Sequence, residues 1–173
     1  MLPHGSQHRD GSLPLIRSTL VLLAIATVGL PIVAAADELR TAAVISGIAH
    51  AADGDDVAFG KVRIRLQGIA APEDSSRSRE QGGAEATLNL QKLIDGKFVV
   101  CHLDGETAGR GGRPSGVCYV DGRDVGLMQV EQGYARDCPG FSGGRYAAAE
   151  QRAIHKGLVL QATYEAPSYC KAE

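Results

Sequence analysis

From Lys61 to Ile69 apolar and polar side chains alternate, with Val62, Ile64 and Leu66 on one side and Arg63, Arg65 and Gln67 on the other. Period two is the signature of a strand buried on one face. Further strands are predicted over Thr41–His50, the short Val57–Gly60, Lys97–Leu103 and Ser115–Val120, with turns at Asp53-Gly54-Asp55-Asp56 and Asp121-Gly122. Ala84–Ile94 changes period. Its Ala84, Ala86, Leu88, Leu90 and Leu93-Ile94 suit an amphipathic helix closed by Asp95-Gly96. Asp124 stands where it can cap a helix over Val125–Tyr134, and Arg145–Leu158 makes a last helix stopped at Gly157. Loops fill Ala70–Gly83, the glycine-rich Asp104–Pro114 and the Pro/Gly-rich Asp137–Gly144, and a tail runs on to Cys170.

Three strands, a helix, two strands and two helices imply an α+β fold. Five short strands with one inserted helix fit a closed five-stranded barrel of the OB type, with three helices in all. Strands and helices do not alternate, which argues against a parallel α/β sheet.

Residues 1–36 read differently. Arg9 and Arg17 precede an apolar run from Leu20 to Val33, and the small residues Ala34, Ala35 and Ala36 lead into Asp37 and Glu38. That order predicts a secretory signal peptide cleaved after Ala36, with residues 37–173 as the mature domain. An uncleaved anchor is the alternative, though the run is short for a membrane span. The expectation is a secreted or periplasmic, monomeric protein with no stable membrane association after cleavage.

Charge narrows the function classes. The whole chain carries 18 Lys and Arg against 20 Asp and Glu. Without Arg9, Arg17 and Asp10, 16 basic and 19 acidic residues remain, a net charge of −3. Bulk phosphate neutralisation needs a basic protein, so any contact with nucleic acid must be a local patch. Four cysteines, Cys101, Cys118, Cys138 and Cys170, suit two disulfides in an exported chain. Of the three possible pairings, Cys101 with Cys118 and Cys138 with Cys170 are preferred. The first pair lies on neighbouring apolar runs, and the second would tie the tail to the body. With no CxxC or Cys/His cluster, the sequence argues against zinc.

Four segments then stand in order. Asp53-Gly54-Asp55 precedes the strand holding Arg65-Leu66-Gln67-Gly68-Ile69, which is followed by Ala71-Pro72-Glu73; later come Gly112-Arg113 and Gln132-Gly133-Tyr134-Ala135. Together they resemble the thermonuclease (staphylococcal-nuclease-like) family, with its DGDT, RLxGIDxPE, YGR and GLA pattern, over roughly residues 45 to 160. The resemblance implies an OB-fold and a calcium-dependent endonuclease that hydrolyses DNA or RNA by attack of water. It implies Arg65 and Arg113 as the arginines stabilising transition-state charge, Glu73 as general base, and Asp55 and the Ala71 main-chain carbonyl as calcium ligands. An arginine fork suits two phosphate oxygens and stays charged. Arg110 can offer a further cation to phosphate, and Phe141 can stack on a base.

The departures matter as much. Ala70 stands where the pattern has an Asp, which removes a carboxylate from the calcium set; Asp56, in place of the Thr of DGDT, could supply charge from next door. Gly111 replaces the Tyr of YGR. Outside the motif each residue has a plain reading: Arg65 an exposed strand arginine, Glu73 a loop acid, Asp53 and Asp55 turn formers. His102 and His155 read as surface residues. Two functions follow: an exported nuclease, or a catalytically impaired OB-fold module whose metal site is broken at Ala70 and whose role is binding or structural.

Overall fold

The computed structural model describes residues 43–76, 78–109, 111–158 and 163–171. The expected signal peptide and Arg110 lie outside the described residues. In chain order the elements are β1 (Val44–Ile48), β2 (His50–Asp53), β3 (Asp56–Phe59), β4 (Val62–Leu66), β5 (Ile69–Ala70), α1 (Gly83–Ile94), β6 (Phe98–Ala108), β7 (Arg113–Val120), β8 (Arg123–Asp124), α2 (Val125–Glu131), β9 (Arg136–Asp137), α3 (Pro139–Ser142) and α4 (Ala147–His155). A 3-10 turn, Ser168–Cys170, ends the described tail.

One seven-stranded sheet runs β1-β6-β7-β4-β3-β2, with β8 on β7, and β5 pairs with β9 apart from it. Neighbours are antiparallel except β4 and β7, which run parallel where Arg65 meets Ser115 and Leu66 meets Gly116. The end strands β1 and β2 are consecutive in the chain and meet at the buried Ala49. The expected Thr41–His50 strand therefore bends there. Its first half pairs with β6 and its continuation with β3. The chain, rather than a ladder of hydrogen bonds, joins the two ends of the path. This corrects the closed five-stranded barrel with three helices: the sheet path is open and, among the described residues, four α-helices accompany it.

Three smaller differences have local causes. The 61–69 strand stops at Leu66 because Gly68 turns the chain at φ 79°, and a Cβ there would sit 2.7 Å from that of Ser142. Only glycine fits both the conformation and the contact. The supposed loop Asp104–Pro114 is mostly hairpin. A register shift between Leu103 and Thr107 absorbs the irregularity, and the Gly112 N–H donates to the Gly109 carbonyl (3.3 Å) between the two strands. The 137–144 linker contains the end of β9 and α3.

The alternation in β4 holds for Ile64 and Leu66, which enter the core with Leu90 and Ile94 of α1, Val99 of β6, Val120 of β7 and Val125 and Val130 of α2, while Val62, expected on the same side, is exposed at the start of the strand. Cys101 and Cys118, opposite one another on β6 and β7, form a buried disulfide in that core. Cys138–Cys170 forms the second, packed with Ala70 and Ala166. Asp124 caps α2 by accepting from the Leu127 N–H at 3.1 Å.

Gln129 ties the layers together. Wholly buried on α2, it donates to the carbonyls of Gly54 (2.7 Å) and Ala86 (3.1 Å) and accepts from the Asn89 side chain (2.7 Å). Gln129→Leu removes a donor from the buried Gly54 carbonyl and an acceptor from Asn89. We expect unfolding in urea to show a loss of about 2 kcal/mol with little change in m, the cost of an unsatisfied buried polar group.

Candidate active site

The Asp53-Gly54-Asp55 turn is pressed against two other segments. A Cβ on Gly54 would lie 2.7 Å from the Ala86 Cβ of α1 and 2.8 Å from that of Ala71. The missing side chain lets the acidic turn sit directly beside Ala71-Pro72-Glu73. The Asp53 carboxylate then accepts from the Gly54 N–H (2.8 Å) and the Asp74 N–H (3.2 Å), which pins the loop that carries Glu73. The Glu73 backbone is tied again at Glu80, whose N–H donates to the Glu73 carbonyl (2.8 Å) and whose carboxylate accepts from the Glu73 N–H (3.0 Å).

Both arginines rest on buried carboxylates. Arg65 donates to the Asp55 carboxylate and to the Ile69 carbonyl (3.2 Å), with its side chain 12% exposed. Arg113 donates to Asp56, which also accepts from Arg63 at 2.5 Å. The Arg113 side chain is 29% exposed. The second Asp56 oxygen is buried without a partner. Gly109, at φ 67° in the hairpin turn, leaves room for the Arg113 fork, since a Cβ there would lie 2.9 Å from Nη2. Each guanidinium carries five N–H donors, so donors remain after these bonds.

Arg65, Glu73 and Arg113 line one cavity of ≈ 380 Å³, together with Gln67, Ser115, Phe141, Tyr169 and neighbouring backbone. Its electrostatics are those of crowded carboxylates beside two cations. Burial, then the charge and hydrogen bond of Asp53, then Asp55 push Glu73 up to about 7 against the pull of Arg65. Burial likewise raises Asp55 to about 6, partly offset by Arg65 and the Ala71 N–H. A half-buried carboxyl that titrates near neutrality is suited to proton transfer.

A staphylococcal nuclease homologue family model matches residues 63–159. The chain belongs to that family. It is also 30% identical over 124 residues to the succinoglycan biosynthesis protein ExoI of Rhizobium meliloti (strain 1021), covering 67% of this chain and 64% of that one. An uncharacterised 38.1 kDa protein of Capnoides sempervirens is 35% identical over 83 residues, 48% of this chain and 23% of its own length. The chain thus spans less than two thirds of the length of these curated relatives.

The calcium set that the family resemblance implies is short of ligands here, since Ala70 leaves one carboxylate, Asp55, and the Ala71 carbonyl, and both already accept protein hydrogen bonds. One Asp55 oxygen accepts from Arg65 and the other from the Ala71 N–H at 2.9 Å. The Ala71 carbonyl accepts from the Tyr164 hydroxyl at 3.1 Å. The suggestion that Asp56 makes up the charge fails as well, because it lies wholly buried under Arg63 and Arg113. Ala70 is also buried, with its methyl against the Cys138–Cys170 disulfide. An Asp at 70 would be a buried charge in an apolar cluster rather than a free ligand. Among the described residues no group of three or more His, Cys, Asp or Glu side chains could hold a metal ion.

The structure thus brings Arg65, Glu73, Arg113 and Phe141 to one cavity, and it sets Asp55 and Asp56 behind the arginines as their anchors. His102 and His155 are exposed, as read. Sequence reasoning missed Tyr164, Tyr169, Gln129 and Gly83. A signal existed for one of them: pairing Cys138 with Cys170 necessarily brings residue 169 close to the 138–141 segment.

Proposed function

We propose that this chain is an exported endonuclease that hydrolyses phosphodiester bonds of DNA or RNA, with Arg65 and Arg113 holding the phosphate and Glu73 activating water. One observation carries the reading: three side chains from β4, the 71–73 loop and β7 line a single cavity of a size suited to a phosphate and its neighbouring nucleotide. In the proposed step Glu73 takes a proton from water, the water oxygen bonds to phosphorus, and the ester P–O bond opposite it breaks, its electron pair leaving on the ester oxygen, which takes a proton from solvent. The two guanidiniums neutralise the charge that accumulates on the phosphate oxygens, and their anchoring on Asp55 and Asp56 sets them in place before substrate arrives. No step is assigned to calcium or to another divalent ion.

Export is part of the reading. The 1–36 signal pattern and two disulfides support an oxidising compartment, secreted or periplasmic, and a mature domain of residues 37–173 acting as a monomer. Among the described residues no helix is long and apolar enough to cross a membrane.

The test is a pH profile on single-stranded DNA. A base works only when ionised, so kcat/KM is expected to rise with pH, with a midpoint near the Glu73 value of about 7, and then to level off. Glu73→Gln should remove the rise along with most of the rate. A wild-type rate that is flat between pH 5 and 9 would remove Glu73 from the role of base.

The calcium set, left with one carboxylate by Ala70, favours a second reading, a module that binds nucleic acid without cutting it. Binding of single-stranded DNA with no cleavage at any pH, with or without added divalent ions, would select it.

A further inference from the structure

The described C-terminal residues 163–171 lie beyond the segment matched by the family model, yet they are built into the site. Three contacts hold them. Cys170 is bonded to Cys138, which immediately precedes α3, and both are buried. Tyr164 donates to the Ala71 carbonyl at 3.1 Å. The tail also packs on Gly140 of α3, where a Cβ would meet the carbonyl oxygens of Lys171 at 2.8 Å and of Cys170 and Tyr169 at 3.4 Å. Tyr169 is delivered to the cavity that Arg65, Glu73 and Arg113 line. Its phenol lies within electrostatic reach of Arg65.

The ring itself remains in the open. Tyr169 is 58% exposed and Phe141 56%, and the two meet edge to face with centroids 6.4 Å apart. Single exposed aromatic residues need no explanation, but two of them paired at the mouth of a cavity that holds two guanidiniums form a surface with aromatic faces beside a phosphate-sized cationic site. Nucleobases stack on such faces whatever their identity.

We propose that Tyr169, held by the Cys138–Cys170 tether, is a substrate-binding residue that stacks with Phe141 on a nucleobase next to the phosphate held by Arg65 and Arg113. The proposal rests on the phosphodiester reading above and deepens it. The ligand class is a single-stranded or locally unpaired nucleic acid, because a base inside a duplex has both faces covered by its stacked neighbours. The disulfide fixes the ring before binding, which lowers the ordering cost of the complex. The tail thus supplies an aromatic group near the nucleotide in a chain that has Gly111 where the family pattern has its Tyr.

The experiment uses the full chain with both disulfides formed and a fluorescent single-stranded DNA oligonucleotide as probe. Binding is read by anisotropy and cleavage by single-turnover kinetics. Tyr169→Ala is expected to weaken binding about tenfold to a hundredfold, the range of one base-stacking interaction, while the rate at saturation changes less than about threefold. Tyr169→Phe keeps the ring and should bind within about threefold of wild type. The paired variant Cys138→Ser with Cys170→Ser should reproduce the Tyr169→Ala loss, with its fold checked by circular dichroism. An oligonucleotide made wholly of abasic sites separates stacking from a structural role: wild type and Tyr169→Ala should bind it equally. If wild type binds the normal oligonucleotide and Tyr169→Ala binds it as tightly, the stacking role is wrong and the phosphodiester reading stands. If Tyr169→Ala also loses affinity for the abasic strand to the same extent, the role is structural and the proposal is again wrong. If wild type binds neither oligonucleotide, the phosphodiester reading falls and takes this proposal with it.

Discussion

Arg113→Ala is expected to lower single-turnover cleavage of single-stranded DNA about 10³-fold, the scale set by arginines that stabilise a transferring phosphoryl group. The guanidinium reaches the cavity from the first residue of β7, braced on Asp56. Truncation removes a positive charge where transition-state charge develops, in a site partly shielded from water. Arg113→Lys should recover only part of the loss, because an ammonium cannot make the two parallel bonds of the fork. Arg63→Ala is the control: Arg63 shares Asp56 but is exposed and does not line the cavity, so its loss should leave the rate within a few fold of wild type. A loss smaller than tenfold for Arg113→Ala would mean that Arg113 is not a phosphate ligand. Asp56 would then be no more than the partner of a structural ion pair.

The second large effect lies away from the chemistry. Gly83 opens α1, and a Cβ there would fall 2.3 Å from the Glu73 carbonyl oxygen and 2.7 Å from the carbonyl carbon. Both are backbone atoms and cannot swing aside. Gly83→Ala must therefore push either the first turn of α1 or the Glu73 loop by about an ångström. We expect a stability loss of about 2–3 kcal/mol from overpacking, and a fall in kcat of about 10²-fold from misplacing the base. The two effects can be read apart by thermal melts and by kinetics measured well below the melting temperature. A fully active Gly83→Ala protein would show that the position of Glu73 tolerates such a shift, which would count against its role as general base. The Glu73→Gln variant measured in parallel shows what losing the carboxylate alone does.

Much of this architecture is legible along the chain, for identifiable reasons. The alternation in 61–69 is a local property and survives folding at Ile64 and Leu66, which have to leave water, though not at Val62, which stays exposed at the strand's start. Of the apolar positions that mark α1, Ala86, Leu90 and Ile94 are buried while Ala84 and Leu88 are exposed, so the periodicity predicts the helix and only part of its buried face. The Asp124 cap depends only on residues three apart. What pattern alone misjudged were the places where long-range pairing overrides local composition. Glycine-rich 104–114 reads as loop, yet β6 and β7 recruit most of it into a hairpin. Thr41–His50 reads as one strand, yet two different neighbours claim its two ends and it bends at Ala49.

The candidate site divides along the same line. Arg65, Glu73 and Arg113 are recognisable because the motif preserves their spacing. The fate of Asp55, Asp56 and the Ala71 carbonyl is not, because it turns on which donors arrive from elsewhere. Arg113 reaches Asp56 across 57 positions, and Tyr164 reaches Ala71 across 93. Composition and periodicity by themselves determined the core strands, the main helices and most of the buried positions; they offered a preferred cysteine pairing, which the fold then decided. Only the tertiary structure decided that the acidic turn serves as an anchor for arginines and that the tail brings an aromatic ring to the cavity. The physical reason is range: secondary structure and burial answer to neighbours a few residues away. A carboxylate's role is set by whichever charge or hydrogen-bond donor folding brings within about 3 Å of it, and no local pattern encodes that distance.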